Sequence, residues 1–240
     1  MEDDVLRRLS TLRRVDDVLG LVGARAGRLG YSVFALGAPP RGDDFPGYFH
    51  STWSQEWIDL YIREGFIVDD PLPPAAAINA MPFLWSDLIA GRAGMKLTEA
   101  QLRVPRRAVD YGYREGLCVP IHGPGAYLVL GSYGGLSPDT SFGAVSALHM
   151  LTLHAHVRLS ALSQTGTAET RSDGAERITP REIEALACVL AGLTDAGIAQ
   201  KLGVSERTAR FHLDNARRKL GVRSRGQAVA TALSMGLLSR

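Results

Sequence analysis

The feature that most constrains the fold is a series of helix start and stop signals in the last quarter of the chain, residues 177–240. Thr179 is a suitable N-cap residue, and Pro180 suits the first position of a helix. Glu182 follows three residues after the cap and completes a capping box, while Gly192 marks the end of this helix. The segment is therefore predicted to begin with a short, capped helix.

Two further helices are predicted by signals of the same kind. Thr194 caps a second helix, and Gly203 permits the tight turn that follows it. Ser205 caps a third helix that extends to about Leu220. A helix, a short turn with glycine and a longer basic helix are typical of a helix-turn-helix unit.

The third predicted helix places different residue types on its two faces. Its apolar face consists of Ala209, Leu213, Ala216 and Leu220. Its outward face consists of Arg207, Arg210, Phe211, Asp214 and Arg218, with Thr208 near the N-terminal end. Arginine can read guanine in the major groove, and Arg217, Arg218 and Lys219 are better placed to contact phosphates. A solvated basic helix on a four-helix core is the alternative interpretation.

The distribution of charge agrees with a nucleic-acid partner for this segment. Residues 177–240 hold 11 Lys and Arg against 5 Asp and Glu, whereas the rest of the chain holds 16 against 20. A basic domain on an acidic body indicates contact with a polyanion, although ordinary surface variation would produce a similar imbalance.

A polar stretch, "SQTGTAETRSDGAE", separates this basic segment from the body of the chain. It has no hydrophobic period and is predicted to be a flexible linker. The predicted division is a body at 1–162, a linker at 163–176 and a helical domain at 177–240. Proteases are expected to cut first within the linker.

The stretch "TPREIEALACVLAGLTDAGIAQKLGVSERTARFHLDNARRKLGV" resembles the DNA-binding domain of the LuxR family of bacterial transcription regulators. The resemblance implies four helices, with the third as recognition helix and the fourth, about 225–238, available for dimer contacts. The residues then expected to contact DNA are Lys201, Ser205, Arg207, Thr208, Arg210, Phe211, Asp214, Arg217, Arg218 and Lys219. Two positions depart from the family pattern: Gly197 loses the usual capping-box glutamate, and Asp214 replaces a residue that is often basic.

An aromatic pattern is the most informative feature of the body. Trp53, Trp57 and Tyr61 are spaced by four residues, so on one helix they would form a single stripe. The residue before a proline is held extended, so Pro71 fixes Asp70 in a rigid corner near this stripe. Such a stripe suits plain core, a stacking platform for bases or the wall of a small-molecule pocket. Chemistry alone leaves core and pocket open.

The remaining patterns of the body alternate between helical and extended segments. A long helix is predicted over about 5–28, another at 98–111 and a last one at 142–162. Strands are predicted at "YSVFALG", "LCVPI" and "AYLVLGSY", with "PFLW" after proline-rich turns. "GSYGG" is interpreted as a weak Gly-rich turn. The fold class is therefore α+β: an N-terminal α/β/α sandwich on an antiparallel sheet, followed by a small all-α four-helix helix-turn-helix domain.

The spacing of six body residues resembles the autoinducer-binding domain of LuxR-type quorum-sensing regulators over about residues 15–162. These residues are Trp57, Tyr61, Asp70, Pro71, Trp85 and Gly116. The resemblance implies a pocket for an N-acyl-homoserine lactone. In it, Trp57 donates to the lactone carbonyl and Asp70 accepts from the ligand amide.

The same resemblance assigns the other pocket positions. Tyr61 would lie against the head group of the ligand, and Trp85 would form one wall. Trp53 departs from the family pattern, which has a tyrosine there, and an indole only donates. The acyl carbonyl is expected to receive a hydrogen bond from Trp53 or Ser132.

Other chemistries find little support in the sequence. Cys118 and Cys188 match neither a disulfide framework nor a metal motif, and "GLCVPIHG" alternates like a strand with a packed thiol. No apolar run is long enough to span a bilayer. No catalytic residue, metal or cofactor is expected, and a cytoplasmic location is predicted.

The sequence thus predicts a cytoplasmic transcription regulator, not an enzyme, that binds an acyl-homoserine lactone and binds operator DNA as a homodimer. RNA polymerase is a further candidate partner, and no membrane partner is expected. A regulator of the same build that answers to another small molecule, or to none, is the first alternative. An enzyme or metal protein that uses Cys118 and the histidines is the second.

Overall fold

The computed structural model describes residues 2–39, 47–124, 127–169, 178–222, 224–234 and 237–238. The chain divides into two compact units. The first consists of Met1–Trp53 and Asp69–Gly166, and the second of Ser54–Val68 and Thr167–Arg240. No helix in the described ranges combines the length and the apolar character that a membrane span requires.

The first unit holds ten of the described helices and strands before α8, its last helix. Its elements are α1 (Glu2–Thr11), α2 (Val15–Arg28), β1 (Val33–Ala38), β2 (Tyr48–Ser51), α5 (Leu72–Ile78), β3 (Phe83–Leu84), α6 (Trp85–Ile89), α7 (Glu99–Ala108), β4 (Glu115–His122), β5 (Leu128–Gly135) and α8 (Phe142–Glu169), with a 3-10 turn at Val109–Tyr111 after α7. The elements of the second unit are α3 (Gln55–Arg63), α4 (Phe66–Asp69), α9 (Pro180–Leu190), α10 (Asp195–Leu202), α11 (Glu206–Lys219) and α12 (Arg225–Ser234).

A five-stranded sheet organises the first unit. Its strand order is β2-β1-β5-β4-β3, and every neighbouring pair is antiparallel. One face packs against α1, α2 and α8 through residues such as Val22, Tyr133 and Leu148. The other face carries a second cluster with α5 and α6, to which Ala75 and Leu88 belong. The predicted α/β/α sandwich on an antiparallel sheet is confirmed.

The predicted single helix over 5–28 is wrong, because the structure has two helices there. Arg14 is the N-cap of α2 and has an extended conformation, with φ −121° and ψ 141°. The Leu12 carbonyl, left outside both helices, accepts a hydrogen bond from the Arg158 guanidinium of α8. This contact between distant segments of the chain satisfies the backbone at the break.

Two other predictions about local structure also need correction. The predicted linker 163–176 is helical at its start, because α8 extends to Glu169, and 170–176 lies outside the described residues. "GSYGG" is not a turn but the end of β5, where Gly134 pairs with Gly116 of β4. The strand β2 was not predicted, since four residues beside a Gly/Pro-rich loop give little periodicity.

The four C-terminal helices form the predicted all-α domain, and their caps are those expected from the sequence. The Oγ1 of Thr179 accepts from the Glu182 backbone, and the Glu182 side chain accepts from the Thr179 backbone. Thr194 caps α10 and Ser205 caps α11. Gly203 ends α10 with φ +65°, a conformation that glycine adopts without strain.

The second unit differs from the predicted domain division, because α3 and α4 fold with the C-terminal helices. Ile67 of α4 is buried in the same apolar cluster as Leu186 and Val229, and Tyr61 packs against that cluster. Gly226 of α12 lies close to α3, so that a Cβ at this glycine would be 2.5 Å from Cδ1 of Ile62.

Candidate ligand and DNA sites

Two glycines on neighbouring strands make room for two tryptophans on one face of the sheet. A Cβ at Gly116 would lie 2.3 Å from the Trp85 indole, and a Cβ at Gly134 would lie 2.7 Å from the Trp53 indole. The two indoles are stacked, with ring centroids 6.0 Å apart and an interplanar angle of 12°. The Tyr113 ring meets Trp53 edge-on at 4.7 Å. The glycines thus allow aromatic rings to lie directly on the backbone of the sheet.

Two buried polar atoms on this face have no hydrogen-bond partner within the part of the chain that the structure describes. They are Nε1 of Trp85 and Oγ of Ser132. Ser132 lies opposite Cys118 in the sheet and two residues before Gly134, the glycine covered by the Trp53 indole. Because side chains two residues apart on a strand point to the same face, Ser132 shares the face of the two indoles. A buried polar group without a partner costs about 1–3 kcal/mol. Both atoms are therefore placed to gain from a bound polar molecule.

Asp70 lies just before α5, a helix that packs in the cluster on the same face of the sheet. Its Oδ1 accepts from the backbone N–H of Leu72 at 2.8 Å, which fixes the corner that begins α5. Burial raises the pKa of the Cys118 thiol well above its usual range, and the negative charge of Asp70 adds to that shift. The thiol is therefore protonated and unreactive at neutral pH.

The structure does not place the three predicted aromatics on one helix. Ser54 is the N-cap of α3 and accepts from the Trp57 backbone, so Trp53 precedes the helix. Trp53 belongs to the first unit, whereas Trp57 and Tyr61 belong to the second. The prediction of a single stripe is wrong because an N-cap residue has a non-helical backbone, and the chain before it takes another direction.

Trp57 and Tyr61 form an aromatic group with a third ring in the second unit. Trp57 is buried, and its ring centroid lies 5.9 Å from that of Tyr61 and 6.3 Å from that of Phe66. The rings of Tyr61 and Phe66 meet edge-on at 6.1 Å. Their predicted contacts with a ligand remain predictions.

Tyr113 and Gly134 are further residues of the aromatic face that sequence reasoning missed. Tyr113 follows the 3-10 turn and shows no periodic signal. Gly134 lies in the stretch predicted as a turn, and its role depends on the strand register that places it opposite Gly116.

Among the described residues, the histidines do not contribute to a metal-binding cluster. No cluster of three or more His, Cys, Asp or Glu side chains suitable for a metal is found among them. His156 instead pairs with the Tyr48 hydroxyl, with Nδ1 and the oxygen 2.9 Å apart. Burial lowers the pKa of His156 and raises that of Tyr48, so the neutral imidazole accepts the hydroxyl hydrogen.

On α11, most of the predicted DNA-contacting residues are exposed. Arg207, Arg210, Phe211 and Asp214 together line one shallow groove. The Arg210 guanidinium forms ion pairs with Asp195 at 3.1 Å and with Glu206 at 3.3 Å, which hold it on this surface. Lys201, Ser205 and Arg218 are also exposed, and Thr208 is half-buried, with its hydroxyl bonded to Ser205 at 2.8 Å.

Lys219 is not exposed as a phosphate contact would be, so its predicted role needs correction. Its side chain is only 7% exposed, and Nζ donates to both carboxylate oxygens of Glu182 at 2.8 and 2.9 Å. Burial would raise the pKa of Glu182, but the bonds from Lys219 and Thr179 outweigh it and lower that pKa. Lys219 joins α11 to α9 inside the domain. Arg217 is half-buried and pairs with Asp214 at 3.1 Å.

Comparison with known proteins matches two families along the chain. The family described as "Autoinducer binding domain" matches residues 14–159, and the family described as "Bacterial regulatory proteins, luxR family" matches residues 176–232. The chain is 36% identical over 211 residues to the HTH-type quorum sensing-dependent transcriptional regulator RpaR of Rhodopseudomonas palustris, covering 87% of this chain and 83% of that protein. It is 30% identical over 234 residues to the transcriptional activator protein BjaR1 of Bradyrhizobium diazoefficiens, covering 96% and 93%.

Solved structures show the same fold at lower identity. SdiA of Escherichia coli is 20% identical and superposes with a TM-score of 0.55, covering all of this chain and 98% of that one. A structure of SdiA in complex with octanoyl-rac-glycerol is also 20% identical, with a TM-score of 0.54 and coverage of 100% and 96%.

Proposed function

Because the chain belongs to the LuxR family of quorum-sensing transcriptional regulators, we propose that it binds an N-acyl-homoserine lactone and binds operator DNA as a homodimer. The family combines an autoinducer-binding domain with a LuxR-type DNA-binding domain and consists of regulators, not enzymes. Family membership therefore confirms the prediction that this chain is not an enzyme.

The observation that carries the ligand proposal is the pair of buried, unpaired atoms on the aromatic face, within the described residues. The Trp85 indole can only donate, and the Ser132 hydroxyl can donate as well. An N-acyl-homoserine lactone has an acyl carbonyl and a lactone carbonyl, which accept hydrogen bonds. Its amide N–H suits the carboxylate of Asp70, because a charged acceptor makes the stronger bond.

The family resemblance supplies the remaining proposed contacts. Trp57 donates to the lactone carbonyl and Tyr61 lies against the head group, as in the predicted pattern. Trp53 stacks on Trp85 and shapes the acyl end of the pocket. Trp85 was predicted only as a wall, and its unpaired N–H adds a donor to that role.

Thermal unfolding across a panel of acyl-homoserine lactones tests this proposal. A ligand that binds only the folded state stabilises it by about 2.7 kcal/mol at a concentration of 100 Kd. At least one lactone should therefore raise the Tm in a concentration-dependent manner. The panel includes octanoyl-rac-glycerol, which has no amide N–H. A response to that compound and to no lactone would instead support a regulator that answers to another small molecule.

The Ser132→Ala variant tests the site itself. Loss of one hydrogen bond should weaken binding roughly two- to ten-fold, while the ligand-free Tm stays the same or rises. Ser10→Ala is the matched control, because Ser10 is exposed on α1 and its hydroxyl donates to the Arg7 carbonyl of the same helix. Equal ligand affinity in Ser132→Ala and Ser10→Ala would contradict a direct contact.

The DNA-binding domain is proposed to act as a pair in the cytoplasm, where its operator lies. Two copies, joined through contacts that include α12, would present two recognition helices to two half-sites. RNA polymerase is the proposed protein partner once the dimer is on DNA. Sedimentation of the full chain with a duplex that carries two half-sites, and with one that carries a single half-site, measures the stoichiometry. One protomer per two-site duplex would contradict the dimer.

A further inference from the structure

Phe211 is an exposed aromatic residue on a helix that buries its other apolar side chains. Its side chain is 61% exposed, whereas Ala209, Leu213 and Ala216 of the same helix are buried. A phenyl ring in water forgoes the free energy that burial would supply, and this ring is not needed for the core of the unit. Its position therefore requires another explanation.

The neighbours of Phe211 define the surface that it belongs to. Arg207 and Arg210, four residues and one residue earlier, line the same shallow groove, and Asp214 lies three residues later. The ion pairs of Arg210 with Asp195 and Glu206 hold its guanidinium at the edge of this surface. The ring thus lies among the charged side chains of the helix face that meets DNA.

The groups that the bases present in the major groove limit which base a phenyl ring can recognise there. Guanine, cytosine and adenine present only hydrogen-bond donors and acceptors at this edge, whereas thymine presents its C5-methyl group. Phenylalanine has no donor or acceptor of its own. Phosphates are equally unsuited, because they are charged and hydrated.

From these observations we infer that Phe211 contacts the C5-methyl group of a thymine in each operator half-site. The adjacent arginines suit guanine, so the thymine lies next to one or more base pairs with guanine. Asp214 is placed on the same turn and can accept from the amino group of a cytosine. This contact adds Phe211 to the arginines as a residue that determines operator specificity. The inference rests on the proposed function, namely DNA binding through α11.

Operators with deoxyuridine test this inference, because deoxyuridine differs from thymidine only by the missing methyl group. A preferred duplex is first selected from a random pool with the full-length chain, in the presence and absence of the lactone panel. Each thymidine is then replaced in turn by deoxyuridine, and the Kd is measured by gel shift. One position per half-site should weaken wild-type binding about four-fold, which corresponds to the burial of one methyl group.

The Phe211→Ala variant should bind the thymidine operator more weakly and lose the difference between thymidine and deoxyuridine at that position. Arg218→Ala is the matched control on the same exposed face, and it should lose affinity but keep the full difference. Phe211→Leu, which retains an apolar side chain, should keep part of it.

Three results would overturn the inference. In the first, no deoxyuridine position affects the wild type. In the second, Phe211→Ala still discriminates thymidine from deoxyuridine as strongly as the wild type does. In the third, Phe211→Ala leaves DNA binding intact and impairs only transcription, which would assign the ring to a protein contact. Failure to select any preferred duplex would instead contradict the DNA-binding proposal itself.

Discussion

At the scale of single residues, Asp70 combines a structural role with the ligand contact that we propose. Its Oδ1 accepts from the Leu72 backbone and fixes a corner of the first unit. In Asp70→Asn, the amide oxygen can keep that bond, so the amide NH2 then faces the ligand N–H. Because bonds to charged groups contribute about 1.5–3 kcal/mol, ligand affinity should fall roughly ten- to a hundred-fold.

Ligand-dependent melting of wild type and Asp70→Asn in parallel measures this effect. The ligand-free Tm should change little, since the corner is retained. A variant that melts lower without ligand, yet shows the wild-type concentration dependence, would show that Asp70 is only scaffold.

The pair of His156 and Tyr48 leads to a prediction about pH. Burial lowers the pKa of His156, so the unfolded chain binds the proton more readily. The stability that the neutral ring contributes is then fully present above about pH 6.5, the ordinary pKa of histidine. It is lost as the pH falls from there through the pKa of His156 in the folded state. Denaturant unfolding at pH 7.5 and 5.5 should show a smaller pH dependence for His156→Gln than for the wild type.

Tyr48→Phe is the control for this measurement, because it removes the hydrogen bond and leaves the titrating ring. It should lower stability by about 1 kcal/mol at pH 7.5 and retain most of the pH dependence. His50 is half-buried and its pKa is also lowered by desolvation, so a smaller pH dependence should remain in His156→Gln. An unchanged pH dependence in His156→Gln would contradict the role of this pair.

At the scale of elements, the ion pair between Lys219 of α11 and Glu182 of α9 distinguishes a structural basic residue from the basic residues proposed to contact DNA. Lys219 and Glu182 are both buried, and removal of one partner leaves an unpaired charge. Lys219→Met should therefore lower the free energy of unfolding by about 3–5 kcal/mol. Because the pKa of Glu182 is lowered in the folded state, the stabilisation by this pair is present above the ordinary carboxyl pKa and is lost as the pH falls through the folded value. The difference in stability between wild type and Lys219→Met should therefore shrink in acid.

Arg218→Met is the matched substitution, since Arg218 is the exposed residue beside Lys219 on the same helix. It should change stability by less than about 0.5 kcal/mol and reduce the slope of affinity against salt by about one. Chemical denaturation and salt-dependent gel shifts distinguish the two variants. If Lys219→Met lost affinity like Arg218→Met without losing stability, the buried pair would not hold in solution.

At the scale of the whole molecule, α3 and α4 change the expected outcome of proteolysis. Trypsin should cut first after Arg171, because α8 ends at Glu169 and Arg171 follows it within the polar stretch 163–176. The two fragments should then elute together in gel filtration. Ile62 and Ile67, from the N-terminal fragment, belong to the same compact unit as the C-terminal helices.

The Gly226→Val variant tests this association. A Cβ at Gly226 would lie 2.5 Å from Ile62 and 3.3 Å from Ile58, so a larger side chain there should push α3 away from α12. Fragments of the cleaved variant should separate on the column. Separation of the wild-type fragments would contradict the packing of α3 with the C-terminal helices.

What the sequence determined by itself was set by local interactions. The caps at Thr179, Thr194 and Ser205 bond to residues three positions later, so their sequence spacing alone predicts where the C-terminal helices begin. The alternating strands β4 and β5 and the exposed arginines of α11 follow from short periods in the same way. These features were predicted correctly because each depends on neighbours in the chain.

Only the tertiary structure decided which faces of the helices and strands pack against each other. Lys219 looks like one more basic residue of an exposed helix until Glu182 is found 37 positions earlier at bonding distance. Gly134 looks like a turn until the register with β4 places an indole where its side chain would be. The unpaired atoms of Trp85 and Ser132 are likewise invisible to periodicity, because burial depends on segments distant in sequence. Local spacing therefore predicted the helices and the family, and long-range packing decided which of their side chains are available to a ligand or to DNA.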